Sequence, residues 1–331
     1  MSNEEIALYG SAALPFVFDP EGSPWDVASD LGLVNKRGVE SGIIPFILHD
    51  SMLGRANDEV FEKIATESFT VGELEFNWLL SSTAPDVWKE VGLSGHRLIT
   101  PSQELRTRVQ ASILHLARRE YALGLVGKYI TTFALVECLD LSKMNRITSC
   151  SLPDYPLCVF FSERIFEHIP PSSVGRPSIR LGAENIFHEA VHQSVNHLIL
   201  TEGIFHQDYD AATSPRVPIF WRKDAREDRN KEWEIDRVLH AAAVYSHLLQ
   251  WRYYELLDES LTADERNIIT TAAVESIDAV RSLSSGLVKH IEFFTPKGAL
   301  FVGRLVESIG ARSVVLEHVI NDSRITSKQV Y

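Results

Sequence analysis

His188, Glu189 and His192 stand in the order His-Glu-Ala-Val-His. On an α-helix, residues four apart lie nearly over one another. The two imidazoles then leave one face of the helix a single turn apart, which lets both bind one divalent ion. Glu189 sits one position round from His188. There it serves as catalytic acid or base toward a metal-bound water, or it orients a ligand from behind. The flanking Ile186, Phe187, Ala190, Val191 and Val195 predict a largely buried helix. Imidazoles and a carboxylate are costly there unless something satisfies them. A metal does so directly; a hydrogen-bonded pair of core histidines is the plain structural alternative.

A third ligand has to come from elsewhere in the chain. A second helical pattern from about Glu232 to Leu257 carries Asp236, His240 and His247 on one face, with Ala241-Ala242-Ala243 after His240. Small residues permit close helix approach, so His240 ranks first as ligand, Asp236 second and His247 third. Asp236 as ligand would complete a two-histidine, one-carboxylate triad of the non-haem iron type; otherwise it orients His240. His247 reads as a partly exposed surface histidine. His197 lies about 180° round from His188, by helical geometry, and cannot share its metal. Between the two helices runs Pro218-Ile219-Phe220-Trp221-Arg222-Lys223-Asp224-Ala225-Arg226. A guanidinium matches a carboxylate two-pronged, so Arg222 or Arg226 is a candidate to hold a substrate or cosubstrate carboxylate; the alternative is a surface arginine in a charged loop.

The elements that must position these groups read as mainly α with a minor β component. Helical spacing runs from about Asp58 to Leu80. Thr100-Pro101-Ser102-Gln103 opens a long helix, or two in series broken near Gly124 or Gly127, reaching about Asp140. Here Thr100 is read as the cap. The apolar run Leu157–Phe161 predicts a buried strand. Helices follow over about Ala183–Leu200 and Glu232–Leu257, and from the capping box Thr262-Ala-Asp-Glu265 to about Ile291. Thr295-Pro296 opens the last. The first 50 residues read as irregular with one strand. The chain is expected to be a single domain over 1–331. Its N-terminal helical part reaches to about residue 150, and the metal-site part, with the ion between two helices, fills 151–331.

Composition narrows the partners. Of 331 residues, 45% are hydrophobic, which supplies a core, and the net charge is −13. Such a surface repels nucleic acid and anionic membranes at long range. No apolar stretch reaches the roughly 18–20 residues of a membrane span. Cys138, Cys150 and Cys158 are too few and wrongly spaced for a metal knuckle or a disulfide framework. The start Met1-Ser-Asn-Glu-Glu lacks the pattern of a secretory signal. A cytoplasmic protein is the expectation.

Three blocks in order, Phe187-His188-Glu189-Ala190-Val191-His192-Gln193, Trp221-Arg222-Lys223-Asp224-Ala225-Arg226 and Val238-Leu239-His240-Ala241, resemble the HEXXH-motif peptide-modification proteins found with clusters that make ribosomal peptides. The likeness covers roughly Leu157 to Leu257. It departs in the extra charged stretch Glu227 to Glu234 and in Ala241, where those proteins often carry Gly. The resemblance implies a non-haem Fe(II), 2-oxoglutarate-dependent oxygenase that hydroxylates the β-carbon of residues in a peptide. His188, His192 and His240 would bind iron, and Arg222 or Arg226 would clamp 2-oxoglutarate. A zinc peptidase with Glu189 as general base is the rival reading. It lacks a glutamate on the His240 face and a His-x-x-Gly-x-x-His extension. A non-catalytic protein with a closed site of His188, His192, His240 and Asp236 is the third.

Overall fold

The computed structural model describes residues 65–83, 93, 95–139, 147–152, 157–222 and 231–328. The expected irregular N-terminal region and Arg226 lie outside them. The chain divides into two compact units. Of the described residues, a sheet unit holds those up to Ile169 and Val174–His197, and a helical unit holds Pro170–Ser173 and those from Leu198 on. Six α-helices and a mixed sheet are present among the described residues, and no helix there is long and apolar enough to cross a membrane.

The sheet unit begins where a helix was expected. Thr66–Val71 (β1) and Leu74–Leu79 (β2) form an antiparallel hairpin. Gly72 turns it at φ +59°, a conformation open to glycine at little cost. The helical reading over Asp58–Leu80 is therefore wrong for Thr66–Leu79. β-branched and aromatic residues on a half-buried pleat override a spacing that also fits a helix. β2 pairs in parallel with Thr132–Cys138 (β4), and β4 in parallel with Cys158–Phe161 (β6). His96–Leu98 (β3) lies antiparallel to the far end of β4, and Ser149–Ser151 (β5) antiparallel to β6. The main path is β1-β2-β4-β6-β5. Phe76, Trp78, Phe133 and Phe161 are fully buried and pack ring against ring across it.

Gln103–Leu116 (α1) and Glu120–Tyr129 (α2) form the crossover from β2 to β4. Ser102 caps α1, its hydroxyl accepting the Leu105 N–H at 3.2 Å. Thr100 is instead 2.6 Å from the Ser81 hydroxyl. The break in the helical run falls at Ala117–Arg119, ahead of both glycines, and the expected extension to Asp140 is strand β4. Residues Thr132–Val136 are buried throughout. A strand covered on both faces shows no alternation to betray it.

Ile179–Glu202 (α3) carries the His-Glu-Ala-Val-His segment. Its start is fixed by Ser112, which donates to the Ile179 carbonyl at 2.9 Å, and by Asn185, whose amide donates to the Ile165, His168 and Leu181 carbonyls. Gly182 lets α1 approach: a Cβ there would stand 2.6 Å from Ser112 Oγ and 2.8 Å from the Phe166 ring. Gly182→Ala gains about 1 kcal/mol of helix propensity but overpacks a buried ring at a cost of about 1–3 kcal/mol. A net destabilisation is expected in urea denaturation; a stabilised variant would contradict this packing.

The helical unit holds Ile235–Leu256 (α4), Ala263–Lys289 (α5) and Pro296–Lys328 (α6). The Thr262–Glu265 capping box forms as expected, and Thr295 accepts the Gly298 N–H at 3.1 Å to start α6. Arg252, fully buried on α4, donates to the Ala272 carbonyl at 2.8 Å and the Ser276 hydroxyl on α5, and to the Pro170 carbonyl at 2.5 Å.

Candidate metal centre

From Leu181 to Asn196 every residue of α3 is buried except His188 and His192, which are half-buried. Over this stretch the two imidazoles are the side chains left part-exposed. Their Nε2 atoms are 3.0 Å apart and the rings 4.7 Å between centroids. Two facing nitrogens at this separation fit one hydrogen bond between neutral rings, or joint ligation of a cation. For metal–nitrogen bonds of about 2.1 Å, an octahedral edge is about 3.0 Å and a tetrahedral edge about 3.4 Å, by simple geometry.

Glu189 turns the other way, onto the sheet. It is 1% exposed, and Ser151 of β5 donates to its Oε2 at 2.6 Å. Its Oε1 is 3.8 Å from His188 Nε2. One carboxylate thus links the sheet edge to the tip of the first imidazole. Burial pushes the Glu189 carboxyl up to about 7, against the opposing pull of the Ser151 and Ser149 hydroxyls. One turn on, Gln193 donates to the Cys158 carbonyl of β6 at 2.9 Å, so Glu189 and Gln193 fasten the same helix face. Burial raises the Cys150 and Cys158 thiols, with Glu189 adding to Cys150 and Cys150 to Cys158. The thiolate that a soft metal needs is therefore disfavoured.

Neither Ser149 nor Ser151 was foreseen, because a three-residue edge strand of small residues carries no spacing signal. Ser151→Ala removes a hydroxyl donor from a buried carboxylate. A loss of about 1–3 kcal/mol is expected, read as a lower urea midpoint. An unchanged midpoint would mean the contact contributes nothing.

The remaining predicted residues lie in the helical unit. His240 is on α4, and burial lowers its pKa to about 4. At neutral pH it is therefore an uncharged imidazole, the form that ligates. Asp236 accepts the Tyr209 hydroxyl at 2.9 Å while its own N–H donates back to that oxygen at 3.1 Å. His247 is not a surface residue. It is 1% exposed, because α4 is covered on nearly every side at this level. Burial, then the charge of Arg312, hold its pKa well below the ordinary value. Arg222 ends a short 3-10 turn, Phe220–Arg222, and is exposed. The Trp221 ring meets Trp233 and Tyr245 edge-on. The His197 ring lies tilted beside Tyr129, 5.9 Å between centroids. Among the described residues, no group of three or more His, Cys, Asp or Glu side chains is gathered to hold a metal ion. What the fold brings together is the pair His188–His192, with one Glu189 oxygen 3.8 Å from the His188 Nε2.

No protein-family model matches this chain, and no curated protein matches it.

Proposed function

We propose that this chain is a non-haem Fe(II)- and 2-oxoglutarate-dependent oxygenase that hydroxylates the β-carbon of an amino-acid residue in a peptide or related natural-product precursor. The observation that carries the reading is the pair of Nε2 atoms 3.0 Å apart, on the two half-buried residues of the otherwise buried stretch Leu181–Asn196. That separation lets both nitrogens serve one cation. His188 and His192 would hold the ion, with His240 as the third ligand on the strength of the sequence resemblance; its neutral imidazole suits the role. When bound, iron couples decarboxylation of 2-oxoglutarate by dioxygen, giving succinate and carbon dioxide, to insertion of the second oxygen atom into a C–H bond.

In this reading Glu189 stands beside the metal-binding nitrogen of His188 without bonding to it. It accepts from Ser151 on one oxygen and keeps the other beside His188 Nε2. The resemblance offers Arg222 and Arg226 for the cosubstrate. Three cysteines without a disulfide suit a reducing cytoplasm.

The zinc-peptidase reading has one specific observation in its favour. A carboxyl with a pKa of about 7, one oxygen 3.8 Å from an imidazole tip, is suited to general-base work. Protein supplied with Fe(II), oxygen and 2-oxoglutarate is expected to release succinate slowly even without a substrate, and Glu189→Gln to retain part of that release. Zinc-dependent peptide cleavage that Glu189→Gln abolishes, with no succinate, would overturn the oxygenase reading.

A further inference from the structure

The sheet margin beside the metal pair has backbone groups left over. Among the described residues β5 ends the main sheet path, and Ser149, Cys150 and Ser151 are each part-exposed. Opposite residues of an antiparallel pair alternate between exchanging both backbone hydrogen bonds and exchanging none. The Ser162 N–H donates to the Thr148 carbonyl at 3.0 Å, and Cys150 stands opposite Phe160 in the same register. That bond fixes the phase. Thr148 and Cys150 bond inward to β6, so the N–H and C=O of Ser149 and Ser151 point away from it. Among the described residues no backbone partner meets these outward groups. The two serine side chains share one face of the strand. There Ser151 donates to Glu189 Oε2 at 2.6 Å, and the other Glu189 oxygen is 3.8 Å from His188 Nε2. The Cys150 side chain lies on the opposite face, against the core that holds Cys158 and Phe160. One carboxylate therefore separates the unpaired backbone from the metal pair.

Outward N–H and C=O groups on alternate residues are what an added strand recognises: main-chain bonds supply affinity and alternate side chains supply specificity. Three consecutive residues of an extended peptide, laid antiparallel, satisfy both serines. The small, uncharged side chains of Ser149, Cys150 and Ser151 let a second backbone come close. We propose that β5 pairs with an extended peptide segment and so decides which of its residues reach the metal pair. The pairing stands without the oxygenase reading; only the reaction that follows rests on it. The peptide residue opposite Ser151 carries its side chain on the Ser151 face, with its Cβ about 5 Å from that of Ser151. The residue opposite Cys150 turns its side chain to the other face. Pairing thus presents the β-carbons of alternate residues on the side where Glu189 and His188 stand.

The test immobilises the full chain, metal removed by chelation, and passes over it a pool of end-blocked heptapeptides randomised at their inner positions. Mass spectrometry reads what is retained. Wild type is expected to hold a subset. Ser149→Pro deletes an outward N–H without touching a bond to β6, a change that edge strands tolerate. It should weaken retention at least tenfold with unchanged circular dichroism. The best-retained peptide is then remade with single N-methyl groups, an arm that needs no variant protein. Methylation should abolish retention at alternate residues, whose N–H groups face β5, and leave it within twofold at the residues between. The proposal is overturned if wild type retains nothing, if folded Ser149→Pro retains as much as wild type, or if methylation at neighbouring residues costs the same. Peptides retained in this pattern that never gain oxygen with Fe(II), 2-oxoglutarate and dioxygen leave the pairing standing and end the oxygenase reading. Oxygen gained equally by wild type and Ser149→Pro, or at the residues where methylation is tolerated, upholds the oxygenase and ends the pairing.

Discussion

His188→Ala is expected to weaken Fe(II) binding by more than about a hundredfold and to abolish any metal-dependent turnover. Loss of a mere outer partner of a ligand costs about 10–100-fold in metal affinity, so loss of one of two imidazoles that converge to 3.0 Å must exceed it. The fold should survive, because His188 is half-buried and its removal leaves the fastening face of Glu189 and Gln193 untouched. Competition against a coloured chelator measures the first effect and circular dichroism the second. Equal affinity in wild type and variant would mean the two rings are a hydrogen-bonded core pair and nothing more.

Arg252→Met is expected to destabilise the helical unit by about 3 kcal/mol. The side chain ties α4 to α5 and to Pro170 by three hydrogen bonds from a fully buried guanidinium. Hydrogen bonds from charged groups contribute about 1.5–3 kcal/mol each and do not add. Methionine restores most of the volume and relieves the burial of charge, which offsets part of the loss. Urea unfolding followed by ellipticity measures it. A shift under about 1 kcal/mol would show that Arg252 only fills space.

The sequence was most legible where pattern and chemistry agreed. Leu157–Phe161 reads as a buried strand and Cys158–Phe161 is one. The Thr262 box, the helix through His188 and the helix through His240 are all present within a few residues of their expected limits. The failures share a cause. β1, β2 and β4 gain their stability from neighbours brought in from far along the chain, and neither Phe69 nor Phe133 announces its partners locally. His247 looked like a surface residue because its own helix pattern does not show what packs over it. The His188–His192 pair needed no tertiary information, since one helical turn suffices to bring the rings together.

Among the described residues, the hairpin strand β1 forms one rim of the main sheet path, and Thr66, Glu67, Ser68 and Thr70 are exposed. Glu67 is held there by both guanidinium nitrogens of Arg106, which keeps its carboxyl below the usual range. A strand with an open flank is a template for accretion of another molecule, and a tethered charge at that flank makes such docking unfavourable. Concentrated solutions of Glu67→Val should consequently cloud sooner than those of the parent.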